Sequence, residues 1–121
     1  MMAKIIFLNK ITDKRGSLTS IENEINFKIK RVYYLYNLSK YDRGGHRHKK
    51  TKQALISING GCSVLCSNGL TKKKFKLNKP NKCLILEPED WHILSEFKKN
   101  TVILVLASHK YDIKDYIFES Y

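Results

Sequence analysis

The sequence predicts an all-β fold of the sandwich or jelly-roll kind. Three observations carry that expectation. Helix-period apolar patterns are almost absent from the 121 residues. About nine short β-rich runs take their place. Turn signals separate those runs along the whole chain, as in two-sheet β proteins.

The runs follow in order. KIIFLNKI (4–11) comes first, and SLTSIE (17–22) follows it across the Arg15-Gly16 turn. FKIKRVYYLYNL (27–38) carries three tyrosines. On a strand Tyr34 and Tyr36 share one face and Tyr33 takes the other, so some of these rings are core and one is free to face a ligand. In QALISI (53–58), Ala54, Ile56 and Ile58 fall on one face, and Gln53, Leu55 and Ser57 on the other. Asn59-Gly60-Gly61 ends that run. SVLCSN (63–68) and FKLN (75–78) flank Asn68-Gly69, a dipeptide typical of a two-residue hairpin. Lys79-Pro80-Asn81 precedes CLILEP (83–88), and Glu87-Pro88-Glu89 precedes WHILSEF (91–97). TVILVLAS (101–108) is the most apolar run, and the tail YDIKDYIFESY (111–121) fits either a strand or a short helix.

Composition narrows the class. The chain is 42% hydrophobic and 11% aromatic, which suits one globular domain over residues 1–121 with a real core. Its longest apolar stretch, VILVLA at 102–107, falls far short of the ~20 residues that span a bilayer. The opening MMAKIIFLNK has too short an apolar core for a signal peptide, so a cytoplasmic protein is expected. Cys62, Cys66 and Cys83 are an odd number without a C-x-x-C pair, which reads as buried reduced thiols. The formal net charge of +12 favours an anionic partner. Only four of the 23 cations are Arg, whereas groove readers of nucleic acid lean on Arg, so a small phosphorylated ligand is the better fit.

The chemistry-bearing stretch is RGGHRHKKTKQ (43–53). On a strand His46 and His48 project to the same face, with Arg47 pointing away from both. Gln53 follows, then Gly60, and much later Trp91-His92 after the Pro88 turn. This order resembles the two-motif pattern of the cupin superfamily, in which a small barrel gathers three His and one Glu around a metal. Gln53 stands at the carboxylate position, which removes charge and ligand strength, and Arg47, Lys49, Lys50 and Lys52 add positive charge nearby. A metal is therefore not expected.

Further stretches sharpen the resemblance. DKRGSLTSIE (13–22), IKRVYYLYNL (29–38), RGGHRHKKTKQALISINGG (43–61) and LASHKYDIKDYI (106–117) together resemble the dTDP-sugar 3,4-ketoisomerases. These are single-domain cupin-type jelly rolls acting on dTDP-4-keto-6-deoxyglucose. The likeness covers nearly the whole chain in order. Family members usually carry a small residue where this chain has Arg47.

The resemblance implies a mechanism and its residues. His46 matches the base that removes the C3 proton, and His48 relays a proton or polarises the ketone. Arg43 matches the arginine on the nucleotide diphosphate, and Lys49 adds charge beside it. Arg15, Trp91 and His92 are expected at the sugar end, with Tyr36 as the tyrosine facing the ligand. No redox cofactor is needed, and no metal if protein donors stabilise the enediol. A homodimer is expected, with the N-terminal strand a candidate for exchange. A pyridoxal-phosphate aminotransferase would act on the product, giving 3-amino-3,6-dideoxy sugars for surface glycans. Arg15 with His92 matches the subgroup making the galacto-configured 3-keto sugar. A metal-dependent cupin enzyme and a non-catalytic sugar-binding cupin stay open as alternatives.

Overall fold

The computed structural model describes residues 3–121. Met1 and Met2, the start of the segment weighed as a leader, lie outside the described residues. The strands are β1 (Lys4–Phe7), β2 (Lys10–Asp13), β3 (Gly16–Thr19), β4 (Arg31–Leu35), β5 (Arg43–His48) and β6 (Gln53–Asn59). They continue as β7 (Cys62–Ser67), β8 (Lys72–Leu77), β9 (Lys82–Leu86), β10 (Trp91–Ser95), β11 (Val102–Ala107) and β12 (Tyr116–Ile117).

Two five-stranded antiparallel sheets are formed, in the orders β1-β9-β6-β11-β4 and β12-β5-β10-β7-β8. Each sheet mixes strands from both halves of the chain. This is the cupin-type jelly roll that the sequence predicts. Among the described residues β2 and β3 pair only with each other, as a separate two-stranded hairpin.

Period-2 alternation explains where the cores lie. Leu55, Leu84, Leu86, Ile103 and Val105 of the first sheet meet Val64, Cys66, Leu77 and Leu94 of the second. The opposite face of the first sheet is also covered. There Ala54, Ile56, Cys83, Ile85 and Leu106 pack under Leu8, with Ile21, Ile25 and Phe27 against them. β6 is therefore buried on both faces through Ser57, and Ile58 emerges at its end, 48% exposed.

Three local expectations are refined. KIIFLNKI breaks into β1 and β2 at Leu8, whose side chain is buried and whose N–H donates to the Asn81 carbonyl at 2.8 Å. The Asn68-Gly69 hairpin joins β7 to β8, but its centre is Gly69-Leu70. Asn68 N–H donates to the Thr71 carbonyl at 3.2 Å, and the Asn68 side chain accepts from Leu70 and Thr71 N–H. The tail uses both of its options: a 3₁₀ turn at Ile113–Asp115, capped by Asp112, and then β12.

The lysines of β8 are exposed while Phe75 and Leu77 point inward, so this charge run is a solvated strand face that protects a sheet edge. The three cysteines are buried and free, and burial pushes each thiol up to about 12. Among the described residues no helix is long and apolar enough to cross a membrane.

Candidate active site

The site begins with a close approach of β5 and β10. His46 lies directly across from His92, and the register slips between His92 and Ile93. Gly44 permits this contact. Its φ is +93°, and a Cβ there would come within 2.9 Å of the His92 carbonyl oxygen. The double glycine before the histidines thus has a steric reason.

Alternation then turns His46, His48 and His92 to the inner face. The His46 ring sits 4.9 Å from His92 and 5.1 Å from His48, both edge-on, and His48 lies 6.3 Å from His92. Tyr116 of β12 covers the group at 4.7 Å from His46 and 4.6 Å from His48. Packing three imidazoles inside protein penalises charge on each. Burial, reinforced by the neighbouring His48, lowers His46 to about 4. Burial lowers His92 to about 3, against the pull of the Asp90 carbonyl that accepts its Nδ1–H at 3.0 Å. At neutral pH both rings are uncharged.

His48 differs because a carboxylate holds it. Its Nδ1 lies 2.9 Å from Asp115 Oδ2. The Thr51 hydroxyl donates to that same oxygen, and Lys50 N–H donates to Oδ1 at 2.9 Å. Burial alone would raise Asp115, but the bonds from Thr51, Lys50 and His48 outweigh it and hold the carboxyl below its usual range. Burial still lowers His48 overall, with Asp115 opposing the shift. The other ring nitrogen, Nε2, is buried without a hydrogen-bond partner.

A cavity of about 70 Å³ opens between the sheets beside these rings. Arg43, His46 and His92 line it from one sheet, and Tyr33 and Gln53 from the other. Gln53 Nε2 donates to the Tyr33 hydroxyl at 3.1 Å, while Gln53 Oε1 has no partner. Burial raises the Tyr33 phenol, so it stays protonated as a potential donor. The Arg31 guanidinium stacks 4.2 Å above its ring.

Of the residues expected at the site, the structure brings His46, His48, His92 and Arg43 together. Trp91 is on the outer face of β10, where strand parity must put it, and its indole donates to the Phe118 carbonyl at 3.2 Å. Lys49 is exposed and contributes only its backbone N–H, to the Asp115 carbonyl at 2.9 Å. Tyr36 is 60% exposed and packs on Tyr34, outside the barrel. Arg15 sits at the tip of the β2–β3 hairpin, ion-paired to Asp13 at 2.6 Å and away from its own chain's cavity. Arg47 points outward as expected and stacks on Tyr121 at 4.6 Å.

Sequence reasoning missed Tyr33, Thr51, Asp115 and Tyr116. The parity of β4 sets Tyr33 apart from Tyr34 and Tyr36 but does not say which face is inner. Asp115 and Tyr116 lie in the LASHKYDIKDYI stretch that carries the resemblance, but nothing local ties Asp115 to His48, 67 residues away.

A cupin metal would need a fourth donor beside the three histidines. Gln53 offers only a neutral amide oxygen there, without the charge of a carboxylate. Among the described residues no group of three or more His, Cys, Asp or Glu is arranged to hold a metal ion. The donor set does not fit one.

Comparisons with known proteins bear on this geometry. A family model described as "FdtA: WxcM-like, C-terminal" matches residues 1–121. The chain is 42% identical over 120 residues to the TDP-4-oxo-6-deoxy-alpha-D-glucose-3,4-oxoisomerase of Aneurinibacillus thermoaerophilus, covering 97% of this chain and 86% of that one. It superposes with a TM-score of 0.93 on QdtA, a sugar 3,4-ketoisomerase of Thermoanaerobacterium thermosaccharolyticum, in complex with TDP. Identity is 40%, over 97% of this chain and 88% of that one. Against a His→Asn mutant of QdtA in complex with TDP-4-keto-6-deoxyglucose it is 39%, and against a double mutant (Tyr→Arg, Arg→His) in complex with TDP it is 42%. Both mutants give TM-scores of 0.93 and coverages of 97% and 87%. The WlaRB TDP-quinovose 3,4-ketoisomerase of Campylobacter jejuni is 38% identical, with a TM-score of 0.92 and coverages of 97% and 92%.

Proposed function

The chain belongs to the FdtA family of sugar 3,4-ketoisomerases, and from that premise we propose how this molecule carries out the isomerisation and on which sugar. The substrate is dTDP-4-keto-6-deoxyglucose. One observation carries the reading: Arg43, His46, His92 and Tyr33 line one cavity between the sheets, and the His48 ring lies 5.1 Å from that of His46.

The C4 ketone acidifies the C3 proton, and His46, uncharged at neutral pH, removes it. The ketone oxygen gains a proton from the Tyr33 phenol as the enediol forms. In the second half the C3 hydroxyl gives up its proton to His48, the protonated His46 returns its proton to C4, and a proton passing from His48 to the Tyr33 oxygen resets the site. Protons out and in balance, so no oxidant or reductant takes part. The nucleotide diphosphate rests on Arg43. Its negative charge favours a protonated imidazole nearby and so strengthens His46 as a base. No metal takes part. Turnover after dialysis against a chelator should be unchanged, and activity restored only by added iron or manganese would overturn this.

The protein is a homodimer in this reading. The β2–β3 hairpin exposes Ile11 (64%) and Leu18 (59%), and its Arg15 is remote from its own chain's cavity. Exchange of the hairpin would bury those side chains and bring Arg15 to the partner's sugar site.

The product is the galacto-configured 3-keto sugar. In the resemblance drawn above, Tyr and Arg mark the gluco class and Arg and His the galacto class. Identity to QdtA rises from 40% to 42% when QdtA's Tyr and Arg become Arg and His. A step of that size suits this chain carrying both substituted residues, as Arg15 and His92. The 1% fall on His→Asn likewise suits a histidine here at that position. A gluco product is the second reading, favoured by the 38% identity to an enzyme named for TDP-quinovose. We place the enzyme in the cytoplasm, supported by three buried free thiols, upstream of an aminotransferase that consumes its ketone.

The test is turnover of dTDP-4-keto-6-deoxyglucose, read as solvent deuterium uptake at the sugar and by trapping with a 3-aminotransferase. A small H3–H4 coupling in the aminated sugar supports galacto, and a large axial–axial coupling means gluco. No exchange and no trapped product would sink the whole reading.

A further inference from the structure

We propose that Asp115 is a positioning residue that locks His48 in the Nδ1–H tautomer and so keeps Nε2 as the relay's proton acceptor. The relay role rests on the ketoisomerase reading; the tautomer does not.

The argument is one of donors and acceptors. Both carboxylate oxygens accept. Oδ1 takes Lys50 N–H at 2.9 Å, and Oδ2 takes the Thr51 hydroxyl and faces His48 Nδ1 at 2.9 Å. An ionised carboxylate cannot donate, so Nδ1 must carry the hydrogen. A neutral His48 then has its lone pair on Nε2, the atom that is buried without a partner. Only in that form can it take a proton from a sugar hydroxyl. When it does, the adjacent carboxylate stabilises the imidazolium that forms.

The cradle also predicts what an amide would do. Lys50 N–H is a fixed backbone donor, so in Asp115→Asn the amide oxygen must turn toward it. The NH₂ group then faces His48 and donates to Nδ1. That forces the hydrogen onto Nε2, and the relay loses its acceptor with hardly any change in shape. Asp115 is held in turn by backbone: its N–H donates to the Asp112 carbonyl at 3.0 Å, and its carbonyl accepts Lys49 N–H at 2.9 Å.

The experiment is ¹⁵N NMR of the histidine rings in the full-length protein, with steady-state kinetics on dTDP-4-keto-6-deoxyglucose. In the unmodified protein the unprotonated nitrogen of His48 should be Nε2. In Asp115→Asn it should be Nδ1, with kcat lower by about 10²-fold or more and KM within about twofold. Thr51→Val, which keeps the carboxylate and Lys50 N–H, should retain the Nε2 lone pair. A native ring protonated on Nε2 would refute the proposal even if Asp115→Asn failed to fold. So would an Asp115→Asn protein with the native tautomer, or a Thr51→Val ring that flips. Absence of turnover in the unmodified enzyme would instead count against the proposed function, leaving the tautomer readout to decide this point.

Discussion

At the scale of single residues, the site depends on what each side chain is prevented from doing. His46 is denied its charge by burial and by its neighbour His48, which keeps it in the basic form. His92 is denied rotation by the Asp90 carbonyl. Two substitutions separate chemistry from binding. His46→Asn should cut turnover by about 10²–10⁴-fold, the usual cost of a missing general base, and leave the TDP dissociation constant nearly unchanged. Arg43→Ala should do the reverse, weakening TDP binding in a calorimetric titration more than it slows bound substrate. If His46→Asn keeps more than about a tenth of the rate, the base lies elsewhere, and His48 is the next candidate.

At the scale of elements, the turn between β6 and β7 shows how tightly the strand ends are tied. Thr101 Oγ1 donates to the Lys98 carbonyl at 2.7 Å and accepts from Gly61 N–H at 3.0 Å. Gly60 sits against it with φ +75°, and a Cβ there would lie 2.8 Å from Thr101 Cα. Gly60→Ala therefore combines a left-handed backbone with a backbone clash, each an expense of order 1–3 kcal/mol. Urea unfolding should show a lower midpoint at an unchanged slope, and an unchanged midpoint would mean that the turn relaxes freely. β6 also enters the site, because its first residue is Gln53 and its faces serve two cores at once.

At the scale of the whole molecule, the buried histidines make folding sensitive to acid. An unfolded histidine titrates at about 6.5, whereas His46 and His92 titrate at about 4 and about 3 in the fold, and His48 is lowered too. Between those values the unfolded chain binds more protons. Stability must therefore rise with pH across the window and be lost as pH falls from about 6.5 toward 3. Asp90, raised to about 6 by burial, acts the other way, because the folded state keeps its proton longer. Three rings oppose one carboxyl, so the melting temperature should drop between about pH 6.5 and 4. A melting temperature that climbs on acidification would contradict the buried neutral histidines. The exposed apolar hairpin leads to a further expectation at this scale: sedimentation should give a dimer. Ile11→Asp with Leu18→Asp should shift it toward monomer and lower activity.

The all-β class, the turns and the same-face histidines could be read from the sequence, because each rests on short-range rules: strand parity, glycine and proline chemistry, and residue spacing. The same rules separate Arg47 from His46 and His48 correctly. They place Trp91 and His92 on opposite faces as well, although both were expected at the sugar. What local rules cannot say is which face looks inward, since β4 carries tyrosines on both. Only the stacking of the two sheets made Tyr33 a cavity wall and left Tyr36 outside. Likewise Asp115 met His48 because β12 pairs with β5, a contact between distant segments that depends on the whole barrel closing. Local sequence determined the strands and the parity of their side chains. Tertiary packing decided which histidine has a carboxylate behind it, because burial and hydrogen-bond partners exist only once the sheets are assembled.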